Sequence, residues 1–528
     1  MRRFLQPLLV AAVLLAGLPT SWAETPDDVF VMALQFDDII TLDPAEVFEF
    51  SGAEYAANVY DRLITFDTED MTTLVGGVAE SWSLSEDGRS YRFKIREGMR
   101  FHSGNPVTAE DAAYSLRRVV RLNKSPAFIL TQFGFTPENV IERIRVLDEG
   151  TLEIETDRAY APSFVLNCLT ATVGSVVDRT LLEEHETDGD MGHGWLRTHS
   201  AGSGPFTLGT WRPNELLILL RHDSYWRGAP AMARVIIRHI AEPATQRLLL
   251  EKGDIDIARN LGPEQVEGLR DNPAIRIREA PKGALYYLGL NQKNPILAKP
   301  QVRRALRYLV DYDGIAGTIL AGRGVVHQAF VPRGFFSALE ERPFSFDPAE
   351  ARRLLAEAGL AEGFSVTMDV RNTAPTIDLA QVLQASFAEA GIRLEIIPGD
   401  GKQTLTKYRA RNHDIYIGLW GPDYQDPHTN ADSFAHNPDN SDDSADKNLA
   451  WRNGWEIPEL NRVTEAAVLE RDAAKRAALY GELQRAVQAD SPFVIMFQSV
   501  EIIAERQNVR GFVSGPTFDT VFYRNVVK

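Results

Sequence analysis

The chain has 528 residues, 44% hydrophobic content and a net charge of −17. That length carries two or three cooperating domains rather than a single core, and the acidity argues against nucleic acid and anionic lipid as partners. Cys168 is the only cysteine, which excludes an internal disulfide, and its apolar setting, Val165-Leu166-Asn167-Cys168-Leu169, reads as packing rather than as a nucleophile.

At the N-terminus, Arg2 and Arg3 precede an apolar run from Leu8 to Leu18, and Ser21-Trp22-Ala23 offers small residues where a signal peptidase cuts. An exported chain whose mature form begins near Glu24 is therefore expected. A membrane anchor needs about 20 apolar residues, and Pro19 breaks the run well short of that. No cysteine follows the run, so no lipid anchor is expected, and the periplasm of a Gram-negative cell is the compartment that would retain such a protein.

Further along, Trp82 and Leu84 alternate up to Ser85-Glu86-Asp87-Gly88, and Tyr91, Phe93 and Ile95 alternate beyond it. This predicts a hairpin with an Asp-Gly turn. Thr108 reads as an N-cap with Asp111 three residues on, opening a helix whose stripe is Ala112, Ser115, Leu116 and Val119. No repeat and no low-complexity linker separates the domains, so short crossings must join them.

The plainest α/β pattern lies between Pro300 and Trp420. Val302, Ala305, Leu306, Leu309 and Val310 share a helical stripe. In a second helix, Asp347-Pro348-Ala349-Glu350 supplies a cap, a first-turn proline and an acid, and Gly359 supplies the stop. Phe364, Val366, Met368 and Val370 then alternate as a strand. Leu379, Val382, Leu383 and Phe387 form a helix ending at Gly391, and Ile392, Leu394 and Ile396 form another strand. After one more helical stretch, Ile415, Ile417 and Leu419 alternate into Trp420-Gly421-Pro422-Asp423, where glycine and proline end the strand. Arg371 and Asp423 both fall just past the carboxyl ends of strands in one sheet, the place where open α/β sheets bind ligands. Opposite charges there could grip a zwitterion.

Between Asp423 and Asp446 the chain holds seven aspartates with His428 and His436. Calcium loops place oxygens at fixed alternate positions around a glycine, and this run lacks that register, so it reads as a solvated loop over the cleft. The ten histidines are scattered, and no metal site is expected. The sequence holds no G-x-S-x-G elbow, no H-E-x-x-H helix and no G-x-x-x-x-G-K loop. No catalytic residue is nominated and no cofactor is expected. A secreted hydrolase stays open as the rival reading, because paired carboxylates need not be close in sequence.

One long ordered signature runs from Gly202-Ser203-Gly204-Pro205-Phe206 through Trp211-Arg212-Pro213-Asn214-Glu215 and Tyr225-Trp226-Arg227-Gly228 to Gly253-Asp254-Ile255-Asp256. Together with Leu42-Asp43-Pro44, Tyr60-Asp61-Arg62-Leu63, Val302-Arg303-Arg304-Ala305-Leu306, Glu357-Ala358-Gly359-Leu360 and Glu389-Ala390-Gly391-Ile392, it resembles the peptide, dipeptide and nickel solute-binding proteins that feed ABC importers. Ser203 departs from the threonine usual between the two glycines.

The resemblance implies an α/β, two-lobed periplasmic-binding-protein fold of type II in its large three-domain form, with an extra α+β subdomain on lobe I. The expected division is a signal peptide at 1–23, lobe I at 24–65, 200–280 and 491–528, the subdomain at 66–199 and lobe II at 281–490. Closure is expected about strands near Leu285 to Asn291 and Val494 to Val500. The family also implies a monomer that captures short peptides, without catalysis, for an inner-membrane permease. Nickel complexes, oligosaccharides, opines and haem are the alternative solutes.

By the same resemblance, Asp423 takes a ligand's α-ammonium, where its bland role would be to cap a turn. Arg371 would hold a carboxylate in fork geometry or lie solvated at the strand end. Trp420 and Gly421 would border the ligand, although an aromatic at a strand terminus is as often core. Phe48, Phe50, Ser51 and Gly52 would form a tolerant wall on lobe I, with ordinary packing as the alternative for either phenylalanine.

Overall fold

A computed structural model describes residues 25–444 and 447–528. The expected signal peptide and Asp446 lie outside the described residues. Among the described residues, no helix is long and apolar enough to cross a membrane.

The chain opens with β1 (Val29–Leu34) and α1 (Phe50–Val59). The predicted hairpin follows as β2 (Ala79–Leu84) and β3 (Ser90–Ile95), with Gly88 at φ +75° where the turn needs a left-handed residue. Next comes α2 (Ala109–Leu122), opened by a full capping box in which Thr108 and Asp111 satisfy each other's backbone N–H. Strands β4 (Ile144–Asp148) and β5 (Thr151–Glu155) complete a four-stranded antiparallel sheet in the order β2-β3-β5-β4, and α3 (Pro162–Leu169) packs beside it.

Most of the remaining strands join β1 in one large sheet. They are β6 (Phe206–Arg212), β7 (Leu216–Arg221), β8 (Arg234–His239), β9 (Ile257–Ala258) and the long β10 (Ile275–Leu290). After α4 (Pro300–Tyr308) and α5 (Pro348–Glu357), the chain alternates through β11 (Ser365–Arg371), α6 (Thr376–Ala388), β12 (Arg393–Gly399), α7 (Gly401–Arg409) and β13 (Ile415–Trp420). Helices α8 (Pro427–Ala435), α9 (Leu449–Arg452), α10 (Pro458–Leu469) and α11 (Ala473–Ala489) lead to β14 (Phe493–Arg506).

The sheet order is β12-β11-β13-β10-β14-β9-β1-β8-β7-β6. Strands β11, β12 and β13 run parallel, as the strand-helix-strand spacing predicts. The antiparallel pair β10 and β14 joins the two halves of this sheet. Ile275–Pro281 pairs with Val500–Arg506 on the β9 side, and Leu285–Gly289 pairs with Phe493–Gln498 on the β13 side. Register breaks between Pro281 and Leu285, where the ladder passes from one half to the other.

Separate apolar cores accompany these layers. One gathers side chains of β1, β6 to β8 and the C-terminal segment, and another gathers β10, β11, β13 and α4 to α6. A third belongs to the four-stranded sheet and α2, yet takes in Tyr424 and Val468 from the far side of the cleft. Burial of Cys168 inside this third core pushes its thiol well above the usual value, which agrees with a packing role.

The aspartate-rich run is the solvated loop the sequence suggested only in its later part, where 438–443 form no helix or strand and are mostly exposed. Residues 427–435 form α8, most of whose side chains are buried. Asp426 caps it by accepting from the His428 N–H at 2.9 Å, and Pro427 sits at its first position. Because the helix is covered on most sides, it lacks the one-sided apolar stripe by which a surface helix is recognised.

Candidate functional site

The chain ends of β11 and β13 face α1 and α3 across a cleft of about 1230 Å³. From one side come Asp38, Phe48, Glu49, Phe50, Phe128, Arg158, Phe164 and Phe518. From the other come Arg371, Tyr416, Trp420, Gly421, Asp423, His428, Asp432 and Arg452. Direct contacts tie the two sides at the rim. Gln425 Nε2 donates to the Met71 carbonyl at 2.7 Å, the Ala161 N–H to the Val468 carbonyl at 3.0 Å, and Arg476 Nη1 to Ser163 Oγ at 3.0 Å.

Asp423 stands three residues past β13, on the stretch that Gly421 and Pro422 turn away from the sheet. It is half-buried in the cleft wall, and Thr429 Oγ1 on α8 donates to its Oδ2 at 3.3 Å while the Asp423 N–H donates to Thr429 Oγ1 at 3.2 Å. Desolvation raises its carboxyl to about 7, Asp432 adds like-charge repulsion, and Thr429 and Arg452 offset only part of this. Among the described residues no cation forms an ion pair with Asp423. A carboxylate left in that condition gains most from an incoming cation.

Thr429 is fixed because α8 is fixed. Asp426 makes a bidentate pair with Arg476, at 2.7 and 3.0 Å, and both side chains are buried. His428 on the same helix packs edge-on against Phe164 at 4.8 Å. Burial lowers its pKa to about 4, so the ring is neutral near pH 7, and its Nδ1 is buried without a hydrogen-bond partner. Asp432 holds its charge despite burial, because His436 Nδ1 bonds its Oδ1 at 2.8 Å.

Of the residues nominated from sequence, Asp423, Trp420, Gly421, Arg371, Phe48 and Phe50 all line the cleft. Phe48 and Phe50 are 44% and 43% exposed, so packing inside the protein does not account for their positions. The Phe50 ring stacks on Phe518 at 3.7 Å, and Phe48 meets Phe128 edge-on at 6.1 Å. Trp420 combines both of its expected roles, bordering the cleft while its ring packs edge-on against buried Phe434 at 5.6 Å. A methyl group added at Gly421 would stand 3.7 Å from the Phe50 ring, which measures how near the two walls approach.

Ser51 and Gly52 require a correction, for they do not line the cleft. Both have entered α1, where the Ser51 N–H donates to Asp38 Oδ2 at 3.2 Å and Gly52 backs onto Val47. One helical turn separates faces that an extended segment would have presented together.

Sequence reasoning missed Phe128, Arg158, Phe164 and Phe518, which reach the cleft from the four-stranded-sheet region and from the C-terminal segment. It also missed Arg409 and Arg452, the last residues of α7 and α9. No motif marks any of them. Only the basic ends of these two helices, favourable against the helix dipole, were visible, and that signal carries no information about a ligand.

A family model described as bacterial extracellular solute-binding proteins, family 5 Middle, matches residues 73–442. Over 528 aligned residues the chain is 28% identical to a probable D,D-dipeptide-binding periplasmic protein of Escherichia coli (strain K12), covering 99% of this chain and 98% of that protein. Two solved structures share the fold. One is a periplasmic binding protein of Helicobacter pylori in complex with the peptide STSA, at TM-score 0.79 and 24% identity, covering 94% of this chain and 98% of that one. The other is a dipeptide binding protein of Pseudoalteromonas sp. SM9913 in complex with Met-Leu, at TM-score 0.80 and 19% identity, covering 95% of this chain and all of that one. The architecture is that of a type II periplasmic binding protein, and the chain belongs to the bacterial extracellular solute-binding proteins of family 5.

Proposed function

We propose that the protein captures short peptides between its two halves and delivers them to an inner-membrane ABC permease. The observation that carries this reading is Asp423, a cleft-wall carboxylate with a hydroxyl beside it and no cationic partner among the described residues. A peptide ammonium meeting it in a closed cleft makes charge-assisted bonds worth about 1.5 to 3 kcal/mol each. Arg371 takes a carboxylate, and the rings of Phe48, Phe50 and Trp420 give side chains a tolerant apolar surface. The peptide-binding names of the relatives agree with this chemistry.

The protein acts as an exported periplasmic monomer and leaves its ligand chemically unchanged. Lobe I comprises 24–65, 200–280 and 491–528, and lobe II comprises 281–490. The subdomain comprises 66–199, and its last stretch packs into the lobe I core through Val177, Leu182 and Leu196. Closure bends the β10 and β14 pair at its register break.

Calorimetry with ligand-stripped protein tests the reading. A free-amine tripeptide should bind at least tenfold more tightly than its N-acetylated counterpart, and equal affinity would remove Asp423 from its assigned role. Hydrolysis of peptides at catalytic protein levels would overturn the receptor reading altogether.

A further inference from the structure

We propose that the cleft selects acidic peptides: besides the ammonium offered to Asp423, the ligand carries at least two carboxylates, one held by Arg371 and a second by Arg409 and Arg452 together. This rests on the peptide reading above and specifies the class of peptide.

Three guanidiniums reach the same wall of the cleft from three elements. Arg371 ends β11, Arg409 ends α7 and Arg452 ends α9. They surround a pair of stacked rings, Tyr408 and Tyr416, whose centroids are 4.0 Å apart. Arg452 lies over Tyr408 at 5.5 Å, with its Nε donating to the Lys447 carbonyl at 2.9 Å. Arg371 rests against the start of α7, where a methyl group added at Gly401 would come within 3.1 Å of its Nε. All three charges act on the Tyr416 phenol, and burial together with repulsion from Arg452 makes Arg409 a weaker base than usual.

Among the described residues, no carboxylate pairs with any of the three. The neighbourhood does not lack acids, because they are engaged elsewhere. Lys407, two residues before Arg409, pairs with Asp369 at 2.7 Å, and Arg411, two residues after it, pairs with Asp442 at 3.2 Å. On the same wall, the charge of Arg452 lowers the Asp423 carboxyl. On the opposite wall, Asp38 accepts from the Ser51 N–H and Glu49 from the Phe48 N–H.

A single C-terminal carboxylate accounts for one of these cations and leaves two like charges facing each other. Like charges brought together on one cleft wall repel, and an anion placed between them relieves the repulsion. The guanidinium fork also favours carboxylate geometry. The chemistry of the wall therefore matches an acidic side chain or a second free carboxyl group.

The test uses two tripeptides that differ in one group, Ala-Glu-Ala and Ala-Gln-Ala, titrated into ligand-stripped protein. The glutamate peptide is expected to bind at least tenfold more tightly, and the ratio should fall below threefold in the Arg409→Gln/Arg452→Gln double variant. The Arg409→Lys/Arg452→Lys variant keeps both charges and should retain part of the preference, which separates loss of charge from loss of fold. Equal affinity of the two peptides for the unaltered protein overturns this inference and leaves the peptide reading standing. A preference that survives the double glutamine variant overturns it as well. Binding of neither peptide at millimolar concentration overturns both.

Discussion

Beside the register break of β10 and β14, Glu54, Arg259, Glu501 and Lys282 are buried together, and each charge meets its opposite. Arg259 reaches Glu54 at 2.5 Å and Glu501 at 2.6 Å, and Lys282 reaches Glu501 at 3.2 Å. Although burial alone would raise it, Arg259 and Lys282 hold the Glu501 carboxyl down at about 2. In the cleft wall, Asp423, Arg371, Arg409 and Arg452 have no such partners among the described residues. The difference separates charges that the fold consumes from charges that it leaves for a guest. Removing a member of the first set should cost stability, and removing a member of the second should cost affinity.

The largest effect is expected at the paired cluster. Glu501→Ala leaves Lys282 without its acidic partner and Arg259 with Glu54 alone, and breaking a buried pair costs about 3 to 5 kcal/mol, readable as a lowered midpoint in urea. Asp423→Ala should instead weaken peptide binding more than tenfold, or over about 1.4 kcal/mol, with an almost unchanged midpoint. If the two variants exchanged behaviours, the distinction between the clusters would fail.

The pH dependence sharpens the same contrast. With its carboxyl at about 7 in the fold against the ordinary 3.8, Asp423 favours the folded state most when protonated. That contribution is full below about pH 3.8 and is lost as the pH rises through about 7. Ligand binding runs the opposite way, because the ammonium needs the ionised form. Affinity should fall about tenfold per pH unit below 7 until the pKa of the complex is reached, and Asp423→Asn should flatten the slope in a calorimetric series. Arg452, Asp432, Tyr424 and Cys168 are the other ionisable groups coupled to that carboxyl. The smallest change belongs to Arg371→Gln. At this exposed position the loss should be about fivefold or less and should shrink with added salt, as for other surface ion pairs.

Much of the scaffold was legible because local chemistry and tertiary packing agree there. Thr108 with Asp111, Asp347 with Pro348, and the alternation from Phe364 to Leu419 each name an element that the fold contains. Asp423 was nominated through its place after a strand and through resemblance, and it lines the cleft. The other wall was not legible, since Phe128, Phe164 and Phe518 are distant in sequence and meet only when the third domain docks. Helix α8 was misread because a helix buried on most sides shows no period, even though its Asp426-Pro427 start was in plain sight. Ser51 and Gly52 failed for the opposite reason, having been grouped with their neighbours although a helical turn points them elsewhere.

The two-stranded ribbon of β10 and β14 also bears on how the molecule comes apart. Since 275–290 and 493–506 each run through both halves, paired on either side of the register break, neither half keeps its full complement of backbone partners when expressed as a fragment. The halves should therefore melt as one cooperative unit in calorimetry, and a proteolytic cut within either strand should release both cores together.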